Sequence, residues 1–272
     1  SERKGAVSMK DWWKTFFKPI TGEIMFKSRE GKTAKQEVKQ ILSQIDAHGK
    51  LKILDLCCGE GRHSIVLAKM KHDVTGLDFS KDFLAVATKK SKRAKVNIKF
   101  VRGDMKLTSK YFPKNSFDLV VSLFNSFGYF DKRSDDFETI KEINKILKPD
   151  GFLIINTLHA GGVKVRLNKP LSTGYEVQRN VFMIDQVSFD PKKMKTHAIW
   201  KIIDVRKKNK VKIFRGSFQQ NIYSHQEMKE MLKTAGFSVV KTWGMLPGGE
   251  FKKNSWHQTV LAQKTEGPRS RK

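Results

Sequence analysis

Between Leu51 and Thr157 the chain alternates short apolar runs with amphipathic helical stretches, a rhythm that few folds accept. The apolar runs fall at residues 52–56, 74–77, 98–101, 117–123 and 152–157, with helical periodicity at 62–70, 80–90 and 135–147 between them. Strands apolar on both sides must be covered on both faces, and strand–helix–strand repeats close as parallel pairs with right-handed crossovers. An α/β core with a mostly parallel sheet flanked by helices is therefore expected. Residues 224–235 restore a helix, with Ser224 as N-cap, Glu227 three residues on and Gly236 as the stop. Final strands at 239–243 and 258–262 bring the sheet to seven.

Two segments stand outside that rhythm. Residues 9–17 carry Trp12, Trp13, Phe16 and Phe17 at helical spacing, and 33–45 repeat the pattern with Val38, Ile41, Leu42 and Ile45, so residues 1–50 read as a helical cap. From 174 to 222 apolar and polar residues alternate, with turn signals at Asp190-Pro191 and at 207–210. This spacing predicts antiparallel strands at 177–187, 197–205 and 211–221, an insertion over 161–222 that serves as a substrate lid or a dimer contact. The core is then 51–160 with 223–264, and 265–272 reads as a disordered tail.

The formal charge is +27, a field that attracts RNA, DNA and anionic surfaces. Only 12 of the 54 basic residues are Arg and the Lys are spread along the chain, so a solvated lysine-rich surface stands beside the polyanion-binding reading. The two cysteines, Cys57 and Cys58, are adjacent, which excludes a disulfide framework and a cysteine-based zinc site and fits a reducing compartment. No run reaches the roughly 18–20 apolar residues that span a bilayer, so the expectation is a soluble cytoplasmic protein without a membrane span.

Chemistry concentrates where the first strand meets the first core helix, Ile53-Leu54-Asp55-Leu56-Cys57-Cys58-Gly59-Glu60-Gly61-Arg62-His63-Ser64. Gly59 and Gly61 let backbone approach a ligand, and the helix start beyond them offers unpaired N–H groups. A dinucleotide fingerprint needs a third glycine where Ser64 stands, and Asp55 at the strand end would repel a pyrophosphate. A carboxylate there suits a cationic ligand with an amino acid moiety, as in S-adenosylmethionine. Asp78 ends the second strand, where an acid can accept both ribose hydroxyls, and Asp104 follows the third, placed for an adenine amino group with Met105 against the ring. Each has a plainer alternative: Asp55 capping the turn, Asp78 capping the helix after Ser80, Asp104 closing a surface turn. His63 is open between packing and ligand contact, and Cys58 reads as a small buried hydrophobe rather than a nucleophile.

In order and spacing these motifs resemble the Rossmann-like, class I S-adenosylmethionine-dependent methyltransferases. The D-x-x-C-G-x-G-R-H-S variant, Phe117-Asp118, the stretch 126–130 and the 147–151 turn are similar to a bacterial and archaeal branch of that family. The resemblance implies Asp55, Gly59 and Gly61 around the methionine portion, Asp78 at the ribose, and Asp104 with Met105 at the adenine. Cys57, His63, Phe79, Ser80, Leu123 and Phe124 complete the expected cofactor crevice. Cys57 stands where the wider family more often has glycine.

Methyl transfer from a sulfonium is an in-line displacement that needs alignment and a dry pocket and requires no metal. The expected acceptor is a small molecule with an O or N target, entering past the fourth strand by Asn125, Phe127 and Tyr129, with Tyr175 and Arg179 reaching from the insertion. Tyr129 and His159, just after the fifth strand, are the expected catalytic side chains, with His225 and His257 as weaker choices for a base. An RNA or protein acceptor steered by the basic surface is the second reading, and a silent S-adenosylmethionine- or polyanion-binding protein the third; a monomer or homodimer is expected.

Overall fold

A computed structural model describes residues 12–26, 32–45 and 49–265. Seven strands form one twisted sheet: β1 (Lys52–Leu56), β2 (Asp73–Asp78), β3 (Lys99–Arg102), β4 (Phe117–Ser122), β5 (Leu147–Leu158), β10 (Phe237–Trp243) and β11 (His257–Lys264). Their spatial order is β10-β11-β5-β4-β1-β2-β3; β11 alone runs antiparallel to its neighbours. The order reverses between β1 and β4, and in an open parallel sheet the crevice beyond the strand ends at such a reversal is where ligands bind.

Helices cover both faces, as the two-sided burial of the strands demands. On one face α7 (Arg133–Ile146) and α9 (His225–Thr234) set Ile140, Ile143, Met228 and Leu232 against Leu54, Leu56, Val120 and Ile155. On the other, α3 (Lys32–Leu42) and α4 (Arg62–Lys69) set Val38, Ile41 and Leu67 against Ile53, Leu119, Val121 and Ile154. Each fully buried side chain of this size contributes about 1.5–3 kcal/mol. The α9 start is a complete capping box: Ser224 Oγ accepts from the Glu227 amide while the Glu227 carboxylate accepts from the Ser224 amide.

The insertion differs from its expected form. Four strands, β6 (Leu171–Gln178), β7 (Val181–Asp190), β8 (Lys195–Lys207) and β9 (Lys210–Asn221), make a separate antiparallel meander. The single strand expected at 177–187 is a hairpin, turning at Arg179-Asn180 with Asn180 at φ 64. Asn tolerates that left-handed conformation, a weak turn signal with no glycine or proline beside it. The helix α8 (Ala160–Arg166) was also not foreseen, because its Ala-Gly-Gly start reads as a breaker. At the front, α1 (Trp13–Phe16) breaks before α2 (Pro19–Phe26), Pro19 opening the second helix where its missing N–H costs nothing. The expected helix at 9–17 lies in part outside the described residues, as do the beginning of the cap and 266–272 of the tail.

A buried polar clamp ties the meander's exit to the core. Asn221 Nδ2 donates to Asp136 Oδ2 at 2.6 Å and to the Phe130 carbonyl at 2.8 Å, and Tyr223 O–H donates to the same Asp136 oxygen at 2.7 Å. The Asn221 amide donates to the Gly128 carbonyl. Gly128 sits at φ 101 with a Cβ position 2.6 Å from the Asn221 carbonyl oxygen, so only glycine allows this approach. The clamp fixes the loop 123–130 that separates the two cavities described next.

Candidate active site

A crevice of about 930 Å³, including its open mouth, lies beyond the ends of β1, β2 and β4. Its floor is the glycine turn. Gly61 adopts φ 77 as the residue before α4, and a Cβ there would press on Ala87 and Phe100, so the glycine faces packed helix and strand and does not line the crevice. Cys57 is at φ 59, a left-handed conformation that glycine adopts at less cost. Both thiols are pushed well up by burial and by the Asp78 and Asp55 carboxylates, so they act as apolar wall and not as nucleophiles.

Asp55, Asp78 and Asp104 converge on this one crevice. Asp55 accepts from Ser64 Oγ, and burial raises its carboxyl against the opposing pull of His63 and Ser64. Asp78 accepts the Gly59 amide on Oδ2 and the Ser80 amide on Oδ1, each at 2.8 Å; burial raises its pKa to about 6 despite those bonds. Asp104 accepts the Lys106 amide. Among the described residues none of the three is ion-paired with Lys or Arg, although the chain carries 54 such residues. Three carboxylates so arranged retain lone pairs for a ligand rich in positive charge and hydroxyl donors. That is the donor chemistry of S-adenosylmethionine, and the residues present fit it.

The remaining expected cofactor residues divide. Met105, Phe79, Leu123, Phe124, His63 and Cys57 line the crevice. Ser80 does not: it caps α5 (Lys81–Arg93) through the Phe83 amide and donates to the Phe17 carbonyl, fastening the roof. Sequence reasoning missed Arg62 and Glu60 on the wall and the buried Glu37 behind it. Burial works to raise the Glu37 carboxyl, but His63 at 2.7 Å and Arg62 at 2.9 Å outweigh it and hold it low. Arg62 in turn stacks 4.9 Å from the Phe124 ring. A lone acid on the apolar stripe of α3 was the available signal for Glu37. Trp13 from the first helix and Phe17 at its C-cap close the crevice from above, Trp13 edge-on to Phe79 at 4.5 Å.

A second cavity, about 1900 Å³ including its open mouth, lies between the meander and the core and shares the wall of Phe17, Met25, Phe124 and Tyr129 with the first. Asn125 and Tyr175 line it, and Tyr129 borders both cavities, its hydroxyl pushed up by burial and unsuited to lose a proton. Phe127 instead is fully buried against Tyr223, and Arg179 is exposed at the β6–β7 turn; neither lines a cavity. His159 likewise lines neither: Nδ1 donates to the Ser255 carbonyl, the ring packs on Phe251 at 4.9 Å, and burial lowers its pKa. The histidine at the cavity is His257, its Nε2 3.3 Å from Asn125 Nδ2. Topology put His159 after the right strand, but helix α8 turns it away.

Residues 53–151 match a family model described as "Methyltransferase domain". The chain is 30% identical over 195 residues to "Putative methyltransferase YqeM" of Bacillus subtilis (strain 168), spanning 70% of this chain and 74% of that protein. A methyltransferase structure from Clostridium acetobutylicum ATCC 824, described as S-adenosylmethionine-dependent, superposes with a TM-score of 0.77 at 16% identity, covering 91% of this chain and 98% of that one. The sugar N-methyltransferase KedS8 of Streptoalloteichus sp ATCC 53650 superposes at 0.69 and 15% identity, covering 98% and 97%. At such identities the two structures speak to the fold alone. Among the described residues no helix is long and apolar enough to cross a membrane.

Proposed function

The chain belongs to the Rossmann-like, S-adenosylmethionine-dependent methyltransferases, and from that premise we propose that it methylates an O or N atom of a small molecule held in the larger cavity. The observation that carries this reading is the shared wall: a carboxylate-lined crevice and a roofed aromatic chamber meet at Phe124 and Tyr129. S-adenosylmethionine supplies an electrophilic methyl on a sulfonium and leaves as S-adenosylhomocysteine. On this reading Asp55 holds the amino acid end, Asp78 the ribose hydroxyls, and Asp104 with Met105 the adenine. Phe124 and Tyr129 face the positive sulfur with ring density, and Trp13 and Phe17 keep water out. Holding the acceptor atom in line with the methyl accounts for several kcal/mol of barrier lowering, with an upper range of about 7–11 kcal/mol. The meander and α1–α2 act as lid, and His257, not His159, is the residue placed to receive an acceptor proton.

The net charge of +27 favours a second reading, a polymeric acceptor steered to the surface. The cavity itself, in which no Lys or Arg is among the described lining residues, argues for a compact acceptor over a polyanion instead. Incubating the protein with radiolabelled S-adenosylmethionine and cell extract, then separating small molecules, RNA and protein, tests the choice. Label in the small-molecule fraction is expected; label confined to RNA or protein rejects the proposal.

A further inference from the structure

The acceptor chamber has a charge pattern opposite to that of the chain. Lys and Arg make up 54 of 272 residues, yet among the described residues none lines this cavity, while Glu23, Glu176 and Asp185 do. Two of those carboxylates have partners. Glu23 accepts from Arg206 at 2.7 Å and from Gln178 Nε2 at 2.7 Å, and Glu176 accepts the Asn180 amide at 2.7 Å in the hairpin turn.

Asp185 differs. It sits mid-strand on β7, on the inward row with Met183 and Val187, where strand alternation puts every second side chain into the cavity. Its register partner on β8 is Trp200, whose indole N–H acts on the carboxyl as a hydrogen-bond donor and eases its charge, while among the described residues no Lys or Arg pairs with it. Trp200 continues into an aromatic wall of the same cavity, packing on Phe218 at 5.5 Å, which in turn packs on Trp12 at 5.5 Å. A half-buried carboxylate costs folding energy unless it is paired, and burial raises the Asp185 carboxyl accordingly. An anionic acceptor would be repelled here, and a neutral one would leave the charge uncompensated. A cation satisfies the carboxylate and the ring faces together.

We propose that the acceptor is a cationic amine, docked with its ammonium group against Asp185 between the faces of Trp200 and its aromatic neighbours. The proposal rests on the larger cavity being the acceptor chamber. Asp185 is a binding residue that selects the substrate; the amine it holds need not be the atom that is methylated.

The test compares cyclohexylmethylamine with its neutral analogue cyclohexylmethanol, titrated into the full chain loaded with S-adenosylhomocysteine and read by tryptophan fluorescence. The amine is expected to bind at least about tenfold tighter than the alcohol. Asp185→Asn should abolish that preference, and Asp185→Glu should retain most of it. Affinity for S-adenosylhomocysteine should be unchanged in both variants, which separates a lost binding residue from a damaged fold. Equal affinity for the two probes, a preference that survives in Asp185→Asn, or no amine binding up to its solubility limit overturns the proposal. If the unaltered protein fails to bind S-adenosylhomocysteine, the methyltransferase reading falls, and the same probe comparison on the unloaded chain still decides the role of Asp185.

Discussion

Asp78 shows what one buried carboxyl does in this site. Its pKa stands at about 6 against an ordinary 3.8 because burial outweighs two amide hydrogen bonds. A raised folded-state value means the group's contribution to stability is whole below about pH 4 and is lost as pH rises through 6. Between pH 4 and pH 7 the stability difference should therefore move in favour of Asp78→Asn by up to about 3 kcal/mol relative to the unaltered chain, measured by urea denaturation. Ligand binding should run the other way, because hydroxyl donors and a cation prefer the ionised carboxylate. S-adenosylmethionine affinity should fall below pH 6, and calorimetry across that range should show a flatter profile for Asp78→Asn. The three acids were legible because each lies at or just past the end of a strand on the same rim. The partners of those acids were not, since Glu37 reaches Arg62 and His63 across 25 and 26 positions and only packing brings them together. Gly128 stands within the 126–130 stretch with no sequence feature that marks its conformation. Its φ of 101 and the Asn221 carbonyl beside it predict that Gly128→Ala costs about 2 kcal/mol or more, readable as a lowered melting temperature.

Among the elements, those with strong local signals matched their sequence reading most closely. The α9 capping box is the clearest, and Ser224→Ala should cost about 1 kcal/mol in denaturation while leaving S-adenosylmethionine affinity unchanged, because the helix lies away from both cavities. All seven strands of the main sheet were visible as apolar runs. The meander was visible as alternation, but the β6–β7 turn was hidden because Gln178-Arg179-Asn180 has no glycine or proline to mark it. Helix α8 carries no apolar stripe long enough to announce itself, and His159 at its N-cap packs on Phe251 while His257 at the start of β11 faces the chamber. Trp13 in α1 spans roof and crevice, so Trp13→Ala should weaken S-adenosylmethionine binding several-fold with a smaller loss of stability, a split that calorimetry and melting together resolve.

Across the whole molecule the two charge patterns have separate physical origins. The surface excess of Lys raises solubility and local polyanion concentration, an effect that fades with salt, whereas the cavity charges are screened little. Composition made the first pattern legible and could not reveal the second, because which acids face inward depends on the meander folding over the core. The central claim is that Asp55, Asp78 and Asp104 form one binding crevice, and isothermal titration of S-adenosylmethionine tests it most directly. Saturable binding of one ligand per chain, weakened more than about tenfold in Asp78→Ala and unchanged in Ser224→Ala, is the expected result. Undetectable binding, or equal affinity in all three proteins, would contradict it.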